Sequence, residues 1–353
     1  MINQVITRTS SNHQHDLVRK FPGKGKPAVK EGSLVEASDI IAHCQVSAGQ
    51  RLIKVAHTLG IRASSVQKHL LRNVGDRIYQ GETVARRRGL LGLGKTEVRS
   101  PADGVITNID PNGDLIVKFL PISVRLTAGA GGKVKKIVED AITISTLATE
   151  VNGPIGSGKE RDGAIKVVAG QTEFLLPQHI SADCSGKIIV GGAVLERATI
   201  EKALTVGVHG IVCGGINQRD FLSLGVSSDV GLSVLITEGY GNFALGTDIY
   251  ESLKALEGRF AFIDGERANL VVPELNPKME KATEPPSLGW RELAVGDKVR
   301  VLHQKKEKLL GTVKEIKEGQ TLSSGLVSDT AKIDLGAGIE VVVAAANLQI
   351  LES

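Results

Sequence analysis

Residues 32–42 return, with the same turn and strand pattern, as residues 75–85. Gly32, Val35, Asp39 and Ala42 of the first copy answer to Gly75, Ile78, Glu82 and Ala85 of the second. Each copy reads as a turn glycine, an inward β-branched residue, a polar turn, an acidic residue and an apolar strand ending in alanine. Two copies are too few for a solenoid and lie too far apart to stack as one. A pseudo-symmetric β module is the architecture this pattern allows. Residues 102–109 and 130–137 add a second related pair: Ala102, Gly104, Val105 and Ile109 against Ala130, Gly132, Val134 and Ile137. In both, a glycine makes the bend and alternating apolar residues face a core.

The 353-residue chain is long enough for two or three domains with cores of their own. Its 41 glycines favour short strands and tight turns over long helices. The charge balance of +4 is too mild for a protein that coats nucleic acid, so any basic face must be local. Aromatic residues at 3% supply no stacking platform for single strands. Cys44, Cys184 and Cys213 have neither an even count nor a short spacing, which argues against disulfides and zinc knuckles and for a reducing compartment. Residues 1–4 do not read as a signal peptide, and no apolar run is long enough to span a bilayer. A soluble cytoplasmic protein is the expectation.

Residues 1–28 read as a basic arm, mobile or partly strand-like around residues 16–19. From 29 to 170 the text is short strands and turns. Its pairing of G-(S/D)-x-(V/I) and (E/D)-x-(V/I)-A with S-P-x-D-G-x-I resembles the barrel-sandwich hybrid of biotinyl and lipoyl domains, efflux adaptors, electron-transport subunits and parts of RNA polymerase. That resemblance implies a fold and no single function. Biotinyl and lipoyl domains present a lysine at a hairpin tip. Here Lys133 follows two glycines at a strand start, so no covalent cofactor is expected.

Between the repeat and the second pair lie Arg86, Arg87, Arg88, Leu90, Leu91 and Lys95. They read as a projecting hairpin, basic at its base and apolar at its tip. It either docks a partner, a phosphate polymer or a membrane surface, or folds its leucines back with the arginines solvated. Residues 153–160 fit G-x-x-x-x-G-K, but Glu160 stands where a P-loop needs a hydroxyl, and a strand follows instead of a helix. The segment reads as a flexible surface turn.

From 171 to 272 the period changes. Strands at 187–190, 209–213, 232–237 and 260–263 alternate with helices at 198–206, around Phe221 and at 248–256, which predicts a small parallel sheet with right-handed crossovers. Three strands end in glycine, at Gly191 and Gly192, Gly214 and Gly215, and Gly239 and Gly241. Open α/β sheets take ligands at this edge, where backbone N–H groups are free. Asn217, Thr237, Glu238, Tyr240 and Asn242 would line it, with Glu238 as an acid or base. The competing reading is that the glycines only allow tight strand-to-helix turns. No catalytic set and no metal ligands are read from the sequence.

Residues 273–289 form a charged, proline-rich linker, and 290–353 hold five short strands that suggest a small SH3-like barrel. Its opening, G-D-x-V-x-V followed by G-x-V-x-x-I, resembles the KOW motif of ribosomal proteins and transcription elongation factors. The resemblance implies loops that touch RNA or protein; here that loop carries Lys305, Lys306 and Lys308. The expected whole is a multi-domain α+β chain whose leading function is docking on a macromolecular assembly, without a cofactor. A KOW-type nucleic-acid factor and a small-ligand or enzymatic α/β domain remain as alternatives. The sequence does not disclose the oligomeric state.

Overall fold

The computed structural model describes residues 3–5, 7–47, 49–88, 94–224, 229–275, 277, 290–302, 309–321 and 327–351. The protein is a β-rich α+β chain with several sheets. It forms two compact units: Val18–Ala128 with Lys133–Ile144, and Met1–Leu17 with Gly129–Gly132 and Ser145–Ser353.

In the smaller unit the sequence repeat becomes a structural one. Each copy is a two-residue strand, a turn and a longer strand: Leu34–Val35 then Ile40–Val46, and Arg77–Ile78 then Thr83–Arg88. The equivalent residues make equivalent bonds. Gly32 N–H donates to Val134 O (2.8 Å) and Gly75 N–H to Ile106 O (2.7 Å), while Val134 and Ile106 donate back to Ser33 O and Asp76 O. Both turn glycines have positive φ, 83° and 96°, where a β-carbon is strained. The acidic residue closes each turn: an Asp39 carboxylate oxygen accepts from Glu36 N–H (2.8 Å), and one of Glu82 from Tyr79 N–H (2.9 Å). Each copy also has its own core. Val35, Ile41 and Ala42 pack with Val134 and Ile142; Ile78, Val84 and Ala85 pack with Ile106, Leu115 and Val117.

The larger unit is built on an α/β sheet. Its elements are β1 (Thr9–Lys20) and β2 (Ala141–Asn152), of which residues 18–20 and 141–144 belong to the smaller unit, then β3 (Ile155–Ser157), β4 (Arg161–Val167), β5 (Ile188–Val190), α1 (Arg197–Val206), β6 (Gly210–Ile216), α2 (Gln218–Ser223), β7 (Ser233–Tyr240), α3 (Thr247–Ala255), β8 (Phe260–Asp264) and β9 (Asn269–Pro273). The strand order is β3-β7-β6-β5-β4-β8-β9-β2, and β1 pairs with β2. Strands β4 to β7 are mutually parallel. Strand β8 departs from the expected parallel run, because it pairs antiparallel to both β4 and β9. Hydrophobic period fixes which face a residue takes and carries no strand direction. The G-x-x-x-x-G-K segment also differs from the expected surface turn. It contains β3, paired antiparallel to β7, with Ser157 buried.

Because helices cover both faces, the central strands are buried on both sides and largely apolar, with Ser233, Thr237 and Glu238 of β7 as buried polar exceptions. Ile189, Ile211, Cys213, Val234 and Ile236 enter one core, and Ile188, Val190, Val212 and Leu235 the other. Each such fully buried aliphatic side chain stabilises the fold by roughly 1.5–3 kcal/mol. Helix α1 buries Thr199, Ile200 and Ala203 and stops at Gly207, whose φ of 81° forms the left-handed cap.

The C-terminal part of this unit adds β10 (Lys298–Val301), β11 (Leu309–Thr321), β12 (Val327–Asp334), β13 (Glu340–Ala344) and β14 (Leu348–Ile350). They lie in the order β14-β10-β11-β12-β13 around Val299, Val313, Ile333, Leu348 and Ile350. The sheet also recruits the chain start: Asn3–Val5 pairs with Trp290–Glu292 on one side and, at Val5, with Gln349 of β14. Residues 1–28, read as an arm, thus contain this strand, β1 and the strand Lys24–Pro27. No helix among the described residues is long and apolar enough to cross a membrane.

Candidate functional site

The glycine-rich ends of β5, β6 and β7 do lie along one edge of the parallel sheet. Their N–H groups, however, are engaged by the chain itself. Gly191 donates to Val212 O, Gly192 to Gly170 O, Gly214 to Gly192 O, Gly215 to Ala193 O and Gly241 to Ile216 O, all at 3.0–3.2 Å. The same backbone fills the space. A β-carbon on Gly214, Gly215 or Gly239 would fall 2.0, 2.0 or 2.5 Å from the carbonyl oxygens of Phe243, Gly241 and Ala346. On Gly191 or Gly192 it would fall 2.5 Å from Ala169 O or 2.7 Å from Leu175 Cβ. Glycine is needed here because the chain's own strands and loops approach this closely.

Asn347, in the turn before β14, closes the end of β7. Its Oδ1 accepts from Tyr240 N–H (3.0 Å) and its Nδ2 donates to Tyr240 O (2.7 Å). Gln218 of α2 makes a further link, donating to Val327 O of β12 (2.8 Å). Asn217 caps α2 through its side chain, which accepts from Arg219 N–H (2.9 Å). Burial pushes the Tyr240 phenol up to about 12 and the Cys213 thiol up to about 12. At neutral pH neither group ionises appreciably, so Cys213 is a buried apolar residue and not a nucleophile. All three cysteines are free and buried.

Glu238 is 7% exposed and forms an ion pair with Arg8, which also lies 3.9 Å from Asp248 Oδ1. Its Oε1 accepts in addition from Gly246 N–H (2.9 Å) and Thr237 Oγ1 (3.2 Å). Burial raises the Glu238 carboxyl above its usual range; Arg8 and the Gly246 hydrogen bond oppose this and do not cancel it. All three contacts fall on one carboxylate oxygen, Oε1.

A second constellation lies where the sequence named no site. His13 and His15 alternate along β1, and period two puts both on one face. Asn12, at φ 58°, bends the backbone immediately before them. Facing them is Glu150 of β2, and one potential ligand atom from each of the three residues lies within 4.8 Å of the other two. His13 Nε2 is 3.2 Å from Glu150 Oε2, and the His13 and His15 rings stand edge to face, 6.2 Å apart. Ser10 Oγ lies 3.2 Å from His13 Nδ1, and Asn269 Nδ2 of β9 donates to Glu150 Oε1 (2.8 Å). Burial lowers the His15 pKa, with Glu150 opposing. For Glu150 burial acts upward, but hydrogen bonds from His13 and Asn269 and the nearby imidazoles win, so its carboxyl is lowered. The signal in the sequence was His-x-His in a polar strand. It was invisible while residues 1–28 read as an arm.

The remaining sequence candidates do not converge on either place. Arg86, Arg87 and Arg88 lie on the strand Thr83–Arg88, paired with Lys95–Arg99. Arg86 and Lys95 both pair with Glu97 (3.0 and 3.2 Å), and Arg87 Nη1 donates to Leu59 O (2.9 Å) and Gly60 O (3.0 Å) at the end of the helix Val55–Leu59. Leu90 and Leu91, read from the sequence as a hairpin tip, and Lys305, Lys306 and Lys308, read as a KOW-like loop, lie outside the described residues. In the C-terminal sheet a cleft of about 180 Å³ is lined by Glu315, Lys317, Gln320, Thr330, Lys332 and Val342. It is smaller than the roughly 300–1,000 Å³ of small-molecule sites.

No protein-family model matches the chain. No curated protein matches it either. Among solved structures, the solution NMR structure of a UPF0107 protein aligns with 35% of this chain and 99% of that one, at 11% identity and a TM-score of 0.26. That likeness is too low to carry fold or function.

Proposed function

We infer that this protein is a non-enzymatic docking protein of the cytoplasm, which binds a macromolecular assembly through its C-terminal β module. In this reading the pseudo-symmetric unit is of the barrel-sandwich hybrid type, and β10 to β14 form an SH3-like barrel of the KOW type. The observation that carries it is the closed strand-end edge. The place where an open α/β sheet takes a ligand is occupied by the protein's own backbone, and Asn347 of the C-terminal module is part of the closure. The α/β sheet then serves as a rigid seat for that module.

The docking element is β13, which ends the strand order and, among the described residues, has a neighbouring strand, β12, on one side only. Val342 on it is 52% exposed and borders the cleft. Such an edge suits an extended protein segment added as a further strand. A photo-crosslinking residue at position 342 of the full chain, expressed in its own cytoplasm, tests this. A discrete protein adduct that survives nuclease, and is lost when the same chain carries Ala344→Pro, whose N–H faces away from β12, is the expected result. An adduct that disappears with nuclease would replace the reading by the nucleic-acid alternative, and no adduct at all would overturn docking at β13.

A further inference from the structure

We propose that His13, His15 and Glu150 form a three-ligand site for a divalent first-row transition metal such as Zn²⁺. The inference is independent of the docking function. Its basis is donor chemistry joined to placement. Two imidazoles and one carboxylate converge from adjacent strands, with their potential ligand atoms within 4.8 Å of one another. A tetrahedral ion with bonds of about 2.1 Å holds its ligands about 3.4 Å apart. The His13–Glu150 separation of 3.2 Å already meets that spacing. The His15 nitrogen lies within 4.8 Å of the other two ligand atoms, so a shift of at most about 1.4 Å completes the set.

The surrounding shell is that of a built site. Ser10 beside His13 Nδ1 leaves Nε2 aimed at Glu150, and Asn269 fixes Glu150 Oε1 so that Oε2 faces the imidazoles. Partners of this kind orient metal ligands and set the ring atom that binds. The donor set also selects the ion. Imidazole nitrogen favours zinc, copper, nickel, cobalt and iron over magnesium and calcium, which take oxygen. Two histidines and a carboxylate leave one tetrahedral position for water. His13 at 3% exposure forms the floor, while Glu150 and His15 are only partly buried, so an ion has access from solvent.

The bland alternative is a structural His13–Glu150 contact with His15 merely adjacent, and metal titration separates the two. The full chain without a purification tag, stripped with chelator, is titrated with Co²⁺ while its visible d–d absorption is followed, and Zn²⁺ is then used to displace it. The expected result is one equivalent bound with a tetrahedral spectrum. His15→Ala and Glu150→Gln should each weaken binding by at least about 100-fold, and Asn269→Ala by about 10–100-fold. His15→Ala is the decisive variant, since the buried His13 is the residue whose loss threatens folding; circular dichroism confirms that each variant is folded. Absence of a Co²⁺ spectrum would overturn the proposal. So would an affinity unchanged in folded His15→Ala, because the six other histidines outside the pair remain in it.

Discussion

Replacing Asn347 with alanine removes both bonds that this side chain makes to Tyr240. Each is of ordinary length, 3.0 Å into Oδ1 and 2.7 Å out of Nδ2. Two such bonds contribute about 0.5–1.5 kcal/mol each, and an unmet, partly buried backbone group adds about 1–3 kcal/mol. Water reaches part of this position, since Tyr240 and Asn347 are only half-buried, so the expected loss is about 2–4 kcal/mol. At about 1.4 kcal/mol per tenfold, that is a change of roughly 30- to 1,000-fold in the opening equilibrium of this edge. Urea unfolding followed by circular dichroism should show a lower midpoint with an unchanged slope for the transition that includes the α/β sheet. Hydrogen exchange of the peptide containing Tyr240 should accelerate by a comparable factor. Asn347→Asp keeps the acceptor but turns an oxygen toward Tyr240 O, so it should rescue little. A loss below about 0.5 kcal/mol with unchanged exchange at Tyr240 would refute the claim that Asn347 closes the strand end.

Gly215→Ala should destabilise by more than about 3 kcal/mol or prevent soluble accumulation, because its β-carbon would stand 2.0 Å from the rigid Gly241 carbonyl oxygen; a thermal melt checks this. Glu238 has a folded-state pKa above 4.5, so the folded state holds this proton more tightly than the unfolded one. Its contribution is fully present below the unfolded pKa and is lost as pH rises through the folded value, so Glu238→Gln should flatten the stability profile in the window opening just above pH 4.5, measured by urea midpoints across pH. Arg87→Ala should cost about 0.5–1 kcal/mol, because an exposed guanidinium no longer holds Leu59 O and Gly60 O, and exchange should quicken in the helix Val55–Leu59 while the parallel sheet is unaffected.

The elements of the α/β sheet were legible because their signals are local. Helix α1 is framed by apolar spacing and Gly207, and β5 by an apolar run and Gly191. Strand direction was not legible, and so β8 ran antiparallel where a crossover was expected. The glycine edge shows where a one-residue signal stops. Gly214 and Gly215 announce that some group comes close, and nothing in the sequence tells a bound ligand from Phe243 O and Gly241 O. The His13–His15–Glu150 cluster failed for the opposite reason. Its members stand far apart in the chain, and β1 has too few apolar residues to read as a strand by alternation.

The repeat carries the argument one step further, because its two copies agree and differ at different kinds of position. They agree where a backbone or core requirement is fixed: the positive-φ glycines 32 and 75, the turn-closing Asp39 and Glu82, and the buried pairs Val35 with Ile78 and Ala42 with Ala85. They part company just after the shared strand start, where His43, Cys44 and Gln45 of one copy stand opposite Arg86, Arg87 and Arg88 of the other. Cys44 is buried in a strand paired on both sides, whereas the strand that carries the three arginines pairs, among the described residues, with Lys95–Arg99. Of the three, Arg86 meets Glu97 and Arg87 caps a helix, so two of them have structural partners. A basic run that looks like one binding patch in the sequence is therefore divided by the fold into separate tasks, and Arg88 is exposed, with no ion pair to a described residue.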